Sequence, residues 1–135
     1  MRDDLPIYTM ERTVNETEID HLNHVNNVMY VQWANDIAMD HWLNAATDEM
    51  KDAYDWVMIK HCIEYKNSAK LNDEIVIKTQ VGRATNVRYE RFIEIYKKDG
   101  MQLLAKTTSD WCAVDKSGKP VRISQELRDL FEIHS

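Results

Sequence analysis

The chain has 135 residues, the size of one domain with room for a hydrophobic core, and no repeat or linker divides it. Its net charge of −6, from 17 Lys and Arg against 23 Asp and Glu, argues against a nucleic-acid-binding surface, which needs excess cation. No apolar run has the length of a membrane span, the N-terminus does not look like a signal peptide, and Cys62 and Cys112 form no disulfide framework. We therefore expect residues 1–135 to form a single cytoplasmic domain without nucleic-acid or membrane partners.

The predicted elements begin with a strand over residues 8–14, which are rich in strand-forming side chains. A polar stretch over residues 15–27 follows. Apolar side chains then recur at spacings of three and four, which predicts an amphipathic helix of about four turns with Asn26 or Asn27 as its N-cap. They are Tyr30, Val31, Ala34, Ile37, Ala38, His41 and Trp42, and the face is widened by Met29, Trp33 and Met39. A face this broad favours a helix that is surrounded on several sides.

Residues 47–55 favour a further helical turn, and the pattern after them is mostly that of strands. We expect strands over 56–66, 73–81, 87–96 and 103–114, with an Asp-Gly hairpin at 97–100 and a turn at 115–120. Ser124 is predicted to cap a terminal helix over 125–133. Short connections predict a meander of four antiparallel strands. With the single broad-faced helix, they indicate an α+β architecture in which a curved sheet wraps around that helix.

Residues 20–30 combine side chains that suit acyl transfer. They hold one carboxylate, two imidazoles, three amides and a phenol at the start of the predicted helix. A helix N-terminus offers unpaired amides to a polarised carbonyl, and Asp20 precedes it closely enough to act as a base or nucleophile. The same residue types are also common in turns and caps. The residues alone favour that structural interpretation.

A resemblance to a known protein family favours the catalytic interpretation of residues 20–30 over the structural one. The segment Asp20-x-x-x-His24-Val25-Asn26-Asn27-x-x-Tyr30, followed by Trp33, resembles the start of the hot-dog-fold acyl thioesterases, which include 4-hydroxybenzoyl-CoA thioesterase and plant-type acyl-carrier-protein thioesterases. Segments 63–65, 69–74, 83–86, 111–115 and 118–120 resemble later parts of the family in the same order, so the resemblance covers about residues 8–123. The chain differs from the plant-type pattern at Leu22, where those enzymes have Asn, and at Ser68, where they have Glu.

The resemblance implies a hot-dog fold and hydrolysis of an acyl thioester, carried by coenzyme A or by acyl carrier protein, to an acid and a thiol. Asp20 would be the catalytic carboxylate, either as nucleophile or as general base. Amides around Asn27 and Val28 would polarise the carbonyl, and His24 and Asn27 would position water, carboxylate or substrate. We further expect the substrate to contact Asn23, Asn26, Val28, Tyr30, Glu64, Lys70, Arg83, Thr85 and Arg88.

Four basic side chains are most simply explained as a solvated surface, and the alternative is a binding site for the coenzyme A phosphates: Lys66, Lys70, Arg83 and Arg88. No metal or cofactor is expected. His21, His24 and the His61-Cys62 pair lack the CxxC or HExxH spacing of metal sites.

The resemblance also implies that sheet edges pair between protomers, as a homodimer or homotetramer with sites at the interface. Two other functions stay open. One is a hydratase or dehydratase of the same fold. The other is a non-catalytic protein that binds acyl thioesters, for which a carboxylate near the carbonyl has no evident use.

Overall fold

Five antiparallel strands form one sheet in the order β1-β3-β4-β5-β2. The structure is a computed structural model that describes residues 1–2 and 4–134. The strands are β1 (Tyr8–Thr13), β2 (Asp55–Tyr65), β3 (Glu74–Ala84), β4 (Arg88–Lys97) and β5 (Gln102–Val114). The expected strands are therefore all present, with ends that differ by three residues or fewer.

The expected four-strand meander was wrong for one strand. β3, β4 and β5 follow one another across the sheet, but β2 pairs with β5 instead of β3. The segment between β2 and β3 therefore crosses the width of the sheet. Alternating side chains report which faces of a strand are buried, and they carry no information about the neighbour it pairs with.

Three α-helices accompany the sheet: α1 (Asn27–Ala45), α2 (Asp48–Ala53) and α3 (Gln125–Glu132). Asn26, Thr47 and Ser124 cap them, each accepting a hydrogen bond from a backbone amide of the first turn. α1 is longer than expected, 19 residues or about five turns. It is also not surrounded on several sides, since Met39 is 46% exposed.

Buried polar side chains divide the core in two. One apolar cluster packs around Trp33 and Ile37 in the first half of α1, and the second joins Trp42 to Leu127 and Phe131 of α3. Five buried polar side chains lie between the two clusters, and we call them the polar belt. They come from α1 and from three neighbouring strands: His41 on α1, Thr79 on β3, Arg91 on β4, and Thr107 and Ser109 on β5. Every second residue of these strands therefore still points inward across the polar belt, but within the belt the inward residues are polar instead of apolar.

Candidate active site

Asp20 opens a five-residue turn that leads into α1. Its Oδ1 accepts hydrogen bonds from the amides of Leu22 (2.9 Å) and His24 (3.2 Å). The backbone closes the turn, with the Asp20 amide donating to the His24 carbonyl at 2.8 Å. Asn23 has a φ of 63°, a left-handed conformation that Asn adopts more readily than most residues. Asp20 Oδ2 makes no hydrogen bond to any described residue, so one carboxylate oxygen is left for chemistry.

A buried carboxylate anchors this turn to the helix. Glu18 is 4% exposed, and its Oε2 accepts hydrogen bonds from Arg12 and from the indole of Trp33 in α1. Its Oε1 accepts from the amide of Asn15, which completes a capping box around residues 15–18. The sequence analysis missed Glu18. The Asn15-x-x-Glu18 spacing of a capping box is the signal that could have found it.

The start of α1 has one amide without an acceptor. The Asn26 side chain accepts from the Val28 amide at 3.1 Å, so this amide, which was expected to polarise a carbonyl, is already engaged. The Asn27 amide meets no acceptor among the described residues. Asn27 and Val28 are both exposed. The helix therefore directs a free N–H and the positive end of its dipole toward open space.

The charge state of Asp20 follows from this turn. Desolvation raises the pKa of Asp20, but the amides of His24 and Leu22 and the nearby imidazoles of His21 and His24 outweigh it, so the pKa lies below its ordinary value. Asp20 is therefore ionised at neutral pH. An ionised carboxylate can attack a carbonyl or accept a proton from water.

Five of the expected substrate-binding residues lie at this end of the molecule. Asn23 and Asn26 shape the turn and the helix cap, and Val28 is 67% exposed. Tyr30 is only 1% exposed, and its hydroxyl accepts a hydrogen bond from the Ala69 amide at 2.9 Å. That bond gives Tyr30 a structural role, which ties α1 to the segment between β2 and β3. Lys70 is exposed in the same segment.

Glu64 lies at the end of β2 and pairs with Lys66 at 3.1 Å. The hydrogen bond and charge of Lys66 lower the pKa of Glu64. Tyr65 is the next residue of β2, and its hydroxyl donates to the Asn27 carbonyl at 3.4 Å. β2 therefore ends beside the start of α1, which brings Glu64 to the side of the molecule that holds Asp20.

The remaining three expected residues lie at the opposite end of the sheet. Arg83, Thr85 and Arg88 surround the turn between β3 and β4, while Lys70 precedes β3 by four residues. β3 is 11 residues long, which separates its ends by about 33 Å. The four basic side chains thus form two pairs instead of one group. Arg88 is paired with Asp110 at 2.8 Å.

The main apolar pocket also lies away from Asp20. It has a volume of about 320 Å³ and opens between the second half of α1, the first residues of β2 and α3. Trp42, Trp56, Tyr89, Trp111 and Phe131 contribute most of its aromatic wall. None of the expected catalytic or substrate-binding residues lines it.

The described residues contain no group of three or more His, Cys, Asp or Glu side chains arranged to hold a metal ion. None of the helices in the described parts of the chain combines the length and the apolarity needed to cross a membrane.

The family of the chain is decided by its sequence. The family model of the thioesterase-like superfamily matches residues 14–131. The chain belongs to the thioesterase-like superfamily. The match includes the Asp20 turn, all of α1 and all strands but β1, so the superfamily sequence pattern covers the whole candidate site. No match was found among curated protein sequences.

Solved structures show the same hot-dog fold. The 1,4-dihydroxy-2-naphthoyl-CoA thioesterase Slr0204 from Synechocystis has a TM-score of 0.80 at 15% identity, covering 93% of this chain and 95% of that one. The probable thioesterase YbaW from Escherichia coli has a TM-score of 0.80 at 21% identity, over 90% and 94%. A putative oleoyl thioesterase from Lactobacillus plantarum reaches 0.84 at 19% identity, over 96% of this chain and 52% of that one. The superfamily and its fold support thioester hydrolysis as the general activity.

Proposed function

We propose that this member of the thioesterase-like superfamily hydrolyses an acyl thioester of coenzyme A or acyl carrier protein, with Asp20 as the catalytic carboxylate. One observation carries the proposal. An ionised Asp20 with a free Oδ2 lies on the turn that leads into a 19-residue helix, and the unpaired Asn27 amide is the first N–H of that helix, seven residues later. A carboxylate and an N–H donor at a helix N-terminus are the two groups that attack on a carbonyl requires.

The reaction follows from these two groups. The carbonyl oxygen of the thioester accepts a hydrogen bond from the Asn27 amide, and the helix dipole stabilises the negative charge that develops on this oxygen. Asp20 Oδ2 then either attacks the carbonyl carbon or removes a proton from a water that does so, with His24 and Asn27 positioning the reactants. The carbon–sulfur bond breaks, the thiolate takes a proton, and water supplies the oxygen of the released acid.

The surroundings of the turn suit a coenzyme A or carrier-protein thioester. Lys66 and Lys70 lie on the segment that is hydrogen-bonded to the turn, through the Val25 amide and the Ala69 carbonyl at 2.9 Å. Their ammonium groups can attract phosphate oxygens that enter from this side. Asn23, Asn26, Val28 and Glu64 are exposed at the same end of the molecule.

We also propose that the enzyme is a homodimer or homotetramer assembled through β2. β2 is an edge strand, and Val57 and Ile59 on it are each 48% exposed. An unprotected apolar edge strand tends to pair with another strand, and pairing with a second copy removes that edge. Sedimentation velocity tests this directly. A monomer at micromolar concentration would contradict it.

Release of free thiol from a panel of short, long and aromatic acyl-CoA substrates, and from acyl carrier protein thioesters, tests the activity. We expect turnover on at least one thioester and a loss of about 100-fold or more in Asp20→Asn, the scale of a lost general base or nucleophile. Absence of thiol release with every substrate would contradict the proposed function. Turnover that survives Asp20→Asn would contradict only the assignment of the carboxylate.

A further inference from the structure

Arg91 is a buried cation without an anionic partner. It is 6% exposed on β4, in the polar belt between the two apolar clusters. Its Nη1 donates to Thr79 Oγ1 and to His41 Nδ1, both at 3.0 Å, and its guanidinium lies 5.4 Å from the ring centre of Phe131. None of the ion pairs in the described residues includes Arg91.

The neighbours of Arg91 cannot neutralise its charge. Burial, with some contribution from the charge of Arg91, lowers the pKa of His41 to about 3, so the imidazole is neutral and its Nδ1 accepts the Arg91 hydrogen bond. Thr79 is uncharged. A buried charge that lacks a counter-ion is unfavourable by several kcal/mol, and such groups in proteins are normally paired. The arrangement is therefore that of a cation whose partner comes from outside the chain.

The free donors of Arg91 have open space beside them. A guanidinium carries five N–H groups, and the two contacts above use only those on Nη1. Among the described residues, four have fully enclosed side-chain polar atoms that make no hydrogen bond: Arg12, Trp56, His61 and Thr107. Arg91 is not one of them, so its Nε and Nη2, which make no hydrogen bond to the described residues, are not fully enclosed. Arg91 lines the apolar pocket of about 320 Å³.

The lining of this pocket suits an apolar ligand that carries a single acceptor-rich group. Trp56, which also lines the pocket, has an Nε1 without an acceptor, but that atom is fully enclosed and cannot reach a ligand, so the unpaired donors of the wall are those of Arg91. Two of the other charged groups that line the pocket are in ion pairs, Lys116 with Asp55 at 3.2 Å and Lys51 with Asp48 at 3.3 Å. Glu90 also lines it, but alternation along β4 places the Glu90 side chain on the face opposite to Arg91, and its Oε1 accepts a hydrogen bond from the Arg83 amide at 3.3 Å. One unpaired positive charge is thus left in an aromatic and aliphatic enclosure. Its volume lies at the lower end of the range for small-molecule sites, about 300–1,000 Å³.

We propose that this pocket binds an apolar molecule bearing one carboxylate, and that the carboxylate pairs with Arg91. Two sources share this chemistry. One is a free carboxylic acid, such as the product of thioester hydrolysis. The other is the far end of an acyl group that carries its own carboxylate, and this second source alone rests on the proposed function.

Calorimetric titration with octanoate and with octan-1-ol tests the site without any catalysis. The wild type is expected to bind octanoate roughly tenfold to hundredfold more tightly than the alcohol, the scale of a charge-assisted hydrogen bond. Arg91→Met is expected to bind the two ligands equally, and Lys97→Met, at the far end of the same strand, to retain the preference. Arg91→Met is expected to fold, because replacing a buried charge with an apolar side chain is often neutral or stabilising.

A second variant keeps the test decisive if Arg91→Met does not fold. Leu43 lines the pocket and is 50% exposed, so Leu43→Trp fills the entrance while leaving Arg91 intact. It is expected to lose octanoate binding at least tenfold. Equal affinity for octanoate and octan-1-ol in the wild type, no binding of octanoate, or unchanged binding in either variant would overturn the proposal.

Suberyl-CoA and octanoyl-CoA separate the two sources, because both carry eight-carbon acyl groups and only the first ends in a carboxylate. If the acyl end occupies the pocket, kcat/KM favours suberyl-CoA and Arg91→Met removes the preference. If a free acid occupies it, the two thioesters are hydrolysed alike and octanoate still binds. Absence of hydrolysis with both would count against the proposed function, while the titration would still decide the carboxylate site.

Discussion

The chain builds the same five-residue turn twice, once before α1 and once before α3. Asp20 and Asp115 each accept hydrogen bonds from the amides two and four residues later, at 2.9 and 3.2 Å in the first turn and 2.9 and 3.0 Å in the second. The third residue after each Asp has a positive φ, 63° at Asn23 and 86° at Gly118. The residues that flank each turn form an isolated antiparallel bridge.

The Ser117 hydroxyl also donates to Asp115 Oδ1 at 2.6 Å, and the two turns otherwise differ in what surrounds them. The first is anchored by buried Glu18 and continues within two residues into the longest helix, whose first amide is free. The second lies on the surface, where Lys116, Ser117, Gly118 and Lys119 are all exposed. The hydrogen bonds of Asp20 are therefore explained by turn formation alone, and any catalytic role must come from its position. The comparison supplies Asp115 as an internal control for Asp20.

Glu18→Ala removes the buried anchor that distinguishes the Asp20 turn from the Asp115 turn. Removing one partner of a buried charge pair is expected to lower the free energy of unfolding by about 3–5 kcal/mol, because Arg12 and the Trp33 indole lose their acceptor. Urea unfolding measures this. Glu16→Ala, an exposed neighbour in the same turn of 3₁₀ helix, is the control and should change stability by less than about 0.5 kcal/mol. A small effect for both variants would mean that the turn is not anchored through Glu18.

Tyr30→Phe removes the tie between α1 and the segment that carries Lys70. The Ala69 amide is fully buried and loses its acceptor, which is expected to cost about 1–3 kcal/mol. Thermal and urea unfolding measure the loss. Tyr65→Phe removes an exposed hydroxyl beside the same helix end and serves as the control, with an expected change below about 0.5 kcal/mol. Equal effects would contradict a specific role for the Tyr30 hydroxyl.

Asn23→Ala and Gly118→Ala test whether the two turns are equivalent in backbone strain. Gly118→Ala places a Cβ in a left-handed conformation, and Asn23→Ala replaces a side chain that tolerates this conformation with one that does not, each at an expected cost of about 1–2 kcal/mol. At Gly118 a Cβ would meet no atom within 4 Å, so the cost there is conformational and not steric. Unfolding in urea gives both values. A cost at one position only would show that the turns share geometry without sharing energetics.

Most of the architecture could be predicted from the sequence, because alternation and helical spacing report directly on burial. The pattern at residues 73–81 located β3, and Asn26 and Ser124 were identified as caps because their side chains can accept first-turn amides. The position of β2 could not be predicted, since its pairing with β5 depends on the whole sheet. The open side of α1, including exposed Met39, was also missed for this reason.

The candidate site was predicted only in part. The Asp20 turn and the start of α1 are continuous in sequence, so the residues that form them were found together. Arg83 and Lys70 looked like neighbours on the chain, yet β3 holds them at opposite ends of the sheet. Arg91 was missed because a charged residue in an alternating strand is ordinarily assigned to the solvent-facing side. Its burial depends on contacts with His41 and Thr79, which lie on other elements.

Acid titration is expected to give the smallest effect and the same sign at both turns. The pKa of Asp115 is lowered by the Ser117 hydroxyl and the Lys119 amide, and that of Asp20 also lies below the ordinary value of 3.8. Each carboxylate therefore stabilises the fold above pH 3.8, and this contribution is lost as the pH falls through the lower folded-state value. Stability between pH 7 and pH 3 should fall less in Asp20→Asn and Asp115→Asn than in the wild type. A steeper fall in either variant would contradict the sign of the shift.

The most direct measurement compares thiol release by Asp20→Asn and Asp115→Asn in parallel with their thermal unfolding. An asparagine Oδ1 can accept the same two amides, so both variants are expected to unfold at similar temperatures, close to that of the wild type. Asp115→Asn should retain its rate within about twofold, while Asp20→Asn should lose about 100-fold or more. If both variants keep the wild-type rate, or both lose it together, the position of Asp20 at the start of α1 has no catalytic significance.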